Sequence, residues 1–67
     1  MNMELIRGHW TEIKGKLKER FGMLTDDDLI VNEGIMEQLE GKLQQSYGYE
    51  KEQAHKELDE IFRMYEA

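Results

Sequence analysis

The 67-residue chain contains no cysteine and no proline. Without cysteine, neither a disulfide nor a thiolate metal centre can reinforce so small a domain. The absence also suits a reducing compartment. Without proline, nothing in the sequence forces a helix to break. Serine occurs once, at Ser46, outside any Gly-x-Ser-x-Gly turn, which excludes that kind of nucleophile. The two histidines, His9 and His55, lack a third ligand and read as surface or satisfied, partly buried side chains, not as zinc ligands. Gly15-Lys16 and Gly41-Lys42 lack the glycine spacing and preceding strand of a phosphate loop. Acidic residues are plentiful, but a small helical domain has little room for a cleft that shifts their pKa. No long apolar run is present, so no membrane span is expected. The segment MNMELIRG is not laid out as a secretory signal, and the cytoplasm is the expected location. The sequence therefore predicts no enzyme activity, no catalytic residue, no metal and no cofactor.

What is present is charge, periodicity and a repeat. Charged residues make up 36% and apolar ones 39%, a polar balance for a folded domain. The apolar residues are nevertheless regularly spaced, which separates the chain from disordered sequences. The net charge of −6 is unevenly spread: residues 1–24 carry +2 and residues 25–67 carry −8. A cationic helix packed beside acidic ones explains this. A basic surface for an anionic partner fits less well with the overall sign.

Gly8 to Gly22, GHWTEIKGKLKERFG, recurs 26 positions later as Gly34 to Gly48, GIMEQLEGKLQQSYG. Gly8, Gly15, Lys16, Leu17 and Gly22 fall on Gly34, Gly41, Lys42, Leu43 and Gly48. Trp10, Ile13 and Phe21 fall on Met36, Leu39 and Tyr47. The repeat predicts two similar helical units.

A first helix is expected over about 3–21, with Ile6, Trp10, Ile13, Leu17 and Phe21 in one stripe of roughly 80°. Asn2 serves as its N-cap and Gly22 as the left-handed residue that ends it. Its cations divide: Arg7, Lys14 and Lys18 follow one flank of the stripe, Lys16 and Arg20 the other. These five are the candidate anion-binding residues, for nucleic acid or for an anionic membrane surface.

Leu24-Thr25-Asp26-Asp27-Asp28-Leu29 reads as a second helix start. Thr25 is the N-cap, its hydroxyl accepting from the Asp28 amide. The three aspartates occupy the electropositive first turn, and Leu24 and Leu29 form a hydrophobic staple. A metal site is the weaker reading, because consecutive helical side chains point about 100° apart. This second helix covers about 26–32, and the break at Asn32-Glu33-Gly34 lets each segment bury its own apolar residues, Ile30 and Val31 included. A third helix is expected over about 33–46, burying Ile35, Leu39 and Leu43 and closed by Gly48. A fourth covers about 51–65, with Ala54, Leu58, Ile61, Phe62 and Tyr65 in a stripe. Glu52–Lys56, Lys56–Glu60 and Asp59–Arg63 are candidate ion pairs on its exposed face.

Gly8, Gly15 and Gly22 recur every seven residues, as do Gly34, Gly41 and Gly48, on faces opposite the apolar stripes. A glycine inside a helix costs about 1 kcal/mol against alanine. Gly15 and Gly41 are thus candidate helix-contact positions, where another backbone comes close. A helix of the same chain is the favoured neighbour, a second copy the other.

The motifs Gly8-x-Trp10, Gly15-Lys16-x-Lys18, Gly22-x-Leu24-Thr25-Asp26-Asp27-Asp28-Leu29, Gly34, Leu39-x-Gly41-Lys42, Tyr47-Gly48-Tyr49 and Ala54 resemble the CsbD-like family of small bacterial proteins. The resemblance covers nearly the whole chain, residues 1–67, as one domain. It implies an all-α, four-helix bundle of two roughly orthogonal helical hairpins, similar to the SAM-domain arrangement. It also implies a part in the general stress response and supplies no catalytic residues. The chain departs from the family pattern at Ile35-Met36, where an exposed apolar spot is the alternative to pairing with Trp10, and at Phe21, where tryptophan is common. The functional expectation is a protein-interaction module or homodimer using the glycine faces and apolar surface near Met36. An anion-binding module is the alternative.

Overall fold

The computed structural model describes residues 2–66. Four α-helices follow one another: α1 (Met3–Gly8), α2 (Trp10–Arg20), α3 (Ile35–Tyr47) and α4 (Lys51–Phe62). Single turns of 3-10 helix cover Asp26–Leu29 and Arg63–Tyr65. Among the described residues there is no strand, and no helix is long and apolar enough to cross a membrane.

The expected first helix is two helices. Asn2 caps α1 as anticipated, its side chain accepting from the amides of Glu4 (2.9 Å) and Leu5 (3.4 Å). At His9 the backbone leaves the helical region (φ −109°, ψ 14°) and α2 begins at Trp10. Gly8 is a poor helix former, and the His9 ring packs on Tyr65 with centroids 5.3 Å apart. A local preference and a tertiary contact therefore meet at the break. The bend leaves Ile6 fully buried beside Ile13 and Leu17.

The close of α2 also differs from expectation. Gly22 is not left-handed; among the described residues only Gly48 has positive φ, at 70°. Phe21 leaves α2 instead (φ −123°, ψ 83°), its amide still bonded to the Leu17 carbonyl. The Phe21 carbonyl accepts from Leu24 at 3.0 Å, and the Met23 amide donates to the Tyr47 hydroxyl at 3.0 Å. Phe21, Tyr47 and Tyr49 pack edge-on or tilted, with centroids 5.6–6.5 Å apart. The two copies of the repeat thus end differently: the first leaves its helix at Phe21 without a left-handed residue, while the second closes on left-handed Gly48, whose amide bonds to the Gln44 carbonyl.

The expected second helix is one 3-10 turn. Thr25 and Asp28 form a capping box. The Asp28 carboxylate accepts from the Thr25 amide (2.9 Å) and hydroxyl (3.0 Å). In that box the Thr25 side chain faces the Asp28 amide, as expected, and the same amide also lies 3.0 Å from the Thr25 carbonyl. Leu24 and Leu29 are both buried, as a staple requires. The turn stops at Ile30 because the chain becomes extended there (φ −88°, ψ 115°). Ile30 is left 65% exposed, against the expectation that this segment buries it.

Asn32 organises the entry to α3: its side chain accepts from the Gly34 amide (2.8 Å) and donates to the Ile30 carbonyl (2.9 Å). Ile35, Leu39 and Leu43 are fully buried, and α3 packs most extensively against α4. Ala54, Leu58, Ile61 and Phe62 supply the other side of the core, with Tyr65 half-buried in the final turn. Trp10 stacks near Phe62 (6.3 Å) and donates its indole N–H to the Leu29 carbonyl (2.9 Å), which pins α2 to both later segments.

Candidate functional site

The basic flanks of α2 are positioned by its apolar stripe, and each flank meets acid from the same chain. Lys18 bonds to Asp26 at 2.8 Å. That bond, with the Lys18 and Lys14 charges, holds the Asp26 carboxyl below the ordinary carboxylate range. On the other flank Arg20 reaches Glu57 (3.3 Å) and Glu60 (3.4 Å) of α4. Lys16 lies beside Glu12, Gly15, Glu19 and Tyr65 at a shallow depression. Arg7, in line with Lys14 and Lys18 on a continuous helix, sits on α1 beyond the break at His9. The five cations do not converge: two are spent on internal pairs, and the bend displaces a third.

Leu24 to Leu29 forms the turn that receives Lys18. Asp28 also lies 3.7 Å from Lys42 of α3. The Thr25 amide, more than the Thr25 hydroxyl or Lys42, keeps the Asp28 carboxyl below its ordinary value despite the opposing effect of burial. Asp27 lines a depression with Gly41, Lys42 and Glu37. Among the described residues no three His, Cys, Asp or Glu side chains group to hold a metal ion.

The glycine expectation is corrected in one respect. A Cβ added at Gly15 or Gly41 would meet no atom within 4 Å. Neither residue therefore touches another helix of its own chain, and their faces are open. The apolar spot is also placed differently. Met36 is half-buried against the core, while among the described residues Met23 (57%), Ile30 and Met64 (60%) are the large apolar ones left exposed. Of the three pairs expected along α4, Asp59–Arg63 is made, at 2.7 Å.

Glu40 was not anticipated. It is the buried charged residue of the described core, with its side chain 6% exposed, and its carboxyl group is hydrogen-bonded with Nδ1 of His55 on α4. Tertiary packing of α3 on α4 brings the two together across 15 positions. The signal was in the sequence: Met36, Glu40 and Leu43 share helical spacing, so a glutamate occupies an apolar-stripe position.

Against known families, residues 4–56 match the model of the family described as CsbD-like. The chain belongs to the CsbD-like family. Three bacterial relatives match over most of their length. The UPF0337 protein YjbJ of Escherichia coli O6:H1 is 52% identical over 59 residues, covering 88% of this CsbD-like chain and 86% of its own. The UPF0337 protein ECA0631 of Pectobacterium atrosepticum is 55% identical over 58 residues, covering 87% and 84%. The UPF0337 protein PA4738 of Pseudomonas aeruginosa is 52% identical over 58 residues, covering 87% and 89%. These names state a family and no activity. No solved structure matches the chain. The matched region of this CsbD-like protein contains the basic flanks, the aspartate turn, both open glycines and the Glu40–His55 pair.

Proposed function

We propose that this CsbD-like protein acts by contact with other protein, a partner or a second copy of itself, and not by turnover. The observation that carries the reading is the openness of the Gly15 and Gly41 faces, which lets a foreign backbone approach both repeat units. Exposed Met23, Ile30 and Met64 add apolar surface. A bacterial stress role, as the family resemblance implies, belongs to the same reading: a binding protein induced in quantity needs no active site. The fold is read with it as a single domain of two roughly orthogonal hairpins, similar to the SAM-domain arrangement. In that reading α2 with the Asp26–Leu29 turn is one hairpin and α3 with α4 the other.

Anion binding through Arg7, Lys14, Lys16, Lys18 and Arg20, on nucleic acid or a membrane surface, is the second reading. Its support is the +2 balance of residues 1–24. Against it, Lys18 and Arg20 already hold carboxylates of the same chain. Light scattering across protein concentration, together with capture of binding proteins from stressed cells, tests the contact reading. A strict monomer at high concentration that captures no protein defeats it. Binding to DNA, RNA or anionic vesicles with a steep salt dependence, abolished by Lys14→Glu/Lys18→Glu, establishes the second reading instead.

A further inference from the structure

Glu40 and His55 lie outside everything invoked above. A carboxylate this deeply buried is costly unless it is bonded, and here its bond goes to a ring that is itself 57% exposed. With Glu40 ionised, the carboxylate can only accept, and Nδ1 then carries the proton. The free lone pair is then on Nε2. In metal sites this is the arrangement by which a carboxylate behind a histidine fixes its tautomer and raises its basicity as a ligand. Glu52 stands three residues before His55 on α4, on the same helix face, and the two line one surface depression with Glu40 and Lys51.

We infer that His55 Nε2 and the Glu52 carboxylate form a surface site for a divalent transition-metal ion such as Zn²⁺, with Glu40 as the positioning residue. Imidazole and carboxylate together suit that class of ion, and water completes the shell. Two protein ligands and the nearby Lys51 charge make the site exchangeable, unlike the structural zinc centre that the sequence excluded. Glu33 and Glu37 face the adjoining depression shared with His55 and offset Lys51.

His9 is the internal control. It is also exposed, but its ring packs on Tyr65, and among the described residues no carboxylate is bonded to it. The experiment is a Zn²⁺ titration of the full chain at about pH 7.5, above the ordinary histidine range, followed by NMR of both imidazoles. The His55 resonances are expected to saturate at least tenfold earlier in Zn²⁺ concentration than those of His9. Before metal is added, the ring nitrogen shifts of His55 should show the proton on Nδ1. Glu52→Gln should raise the His55 midpoint several-fold with helix content unchanged by circular dichroism. Glu40→Gln, which keeps an acceptor for Nδ1, should preserve the tautomer and raise the midpoint less. Equal midpoints for His9 and His55, a proton on Nε2, or a Glu52→Gln midpoint equal to wild type overturns the site.

Discussion

Single residues carry the sharpest contrast between the two copies of the repeat. Gly22 and Gly48 occupy equivalent positions, yet only Gly48 is left-handed. A side chain in that region costs about 1–2 kcal/mol. Gly48→Ala is therefore expected to destabilise the protein by about 1 kcal/mol in urea unfolding, and Gly22→Ala to be close to neutral. Gly15 lies inside α2 with open space around it. Gly15→Ala should stabilise the isolated chain by about 1 kcal/mol, the ordinary helical difference between these residues. Sequence spacing could mark the glycines but could not separate them. The turn after Phe21 is shaped by Tyr47, 26 positions away, and no local pattern reports such a contact. Glu40 shows the reverse case. Its place in an apolar stripe was visible, but its partner His55 became evident only once α3 lay against α4.

At the level of elements, the helical stretches and their buried faces were legible because period 3.6 is a strong signal. Ile13, Leu17, Ile35, Leu39, Leu43, Ala54, Leu58 and Phe62 are all fully buried, each on its expected stripe. What spacing could not reveal was where tertiary contacts interrupt a helix. His9 breaks the first helix and Ile30 ends the second after one turn. Trp10 holds that short turn in place through the Leu29 carbonyl. Trp10→Phe keeps the ring on Phe62 but orphans that acceptor, and is expected to cost about 1 kcal/mol in denaturant unfolding. The same turn gives the protein an acid-sensitive element. Asp28 and Asp26 both titrate below the ordinary value of 3.8. Their stabilisation is thus fully present above about pH 4, and is lost as pH falls through the lower folded values. Asp28→Asn should flatten this part of the decline in melting temperature between about pH 4 and pH 2, and leave its slope near neutrality unchanged.

On the scale of the whole molecule, a helical body of 30 × 22 × 19 Å keeps most of its large apolar side chains inward, Met23, Ile30 and Met64 excepted, and its Gly15 and Gly41 faces open. The charge division of the sequence is used mainly within the chain, where α2 cations meet the Asp26 turn and α4. This arrangement separates the two functional readings, since glycine faces and basic flanks can be altered independently. Gly15→Leu/Gly41→Leu fills open space and should leave the fold intact. Lys14→Glu/Lys18→Glu reverses one basic flank. The decisive measurement is affinity capture from stressed cells with wild-type, glycine-filled and charge-reversed baits, scoring bound protein, including untagged copies of the chain. Contact through the glycine faces predicts that the charge-reversed bait captures what the wild type captures and the glycine-filled bait does not. Capture retained by the glycine-filled bait and lost by the charge-reversed one would contradict it.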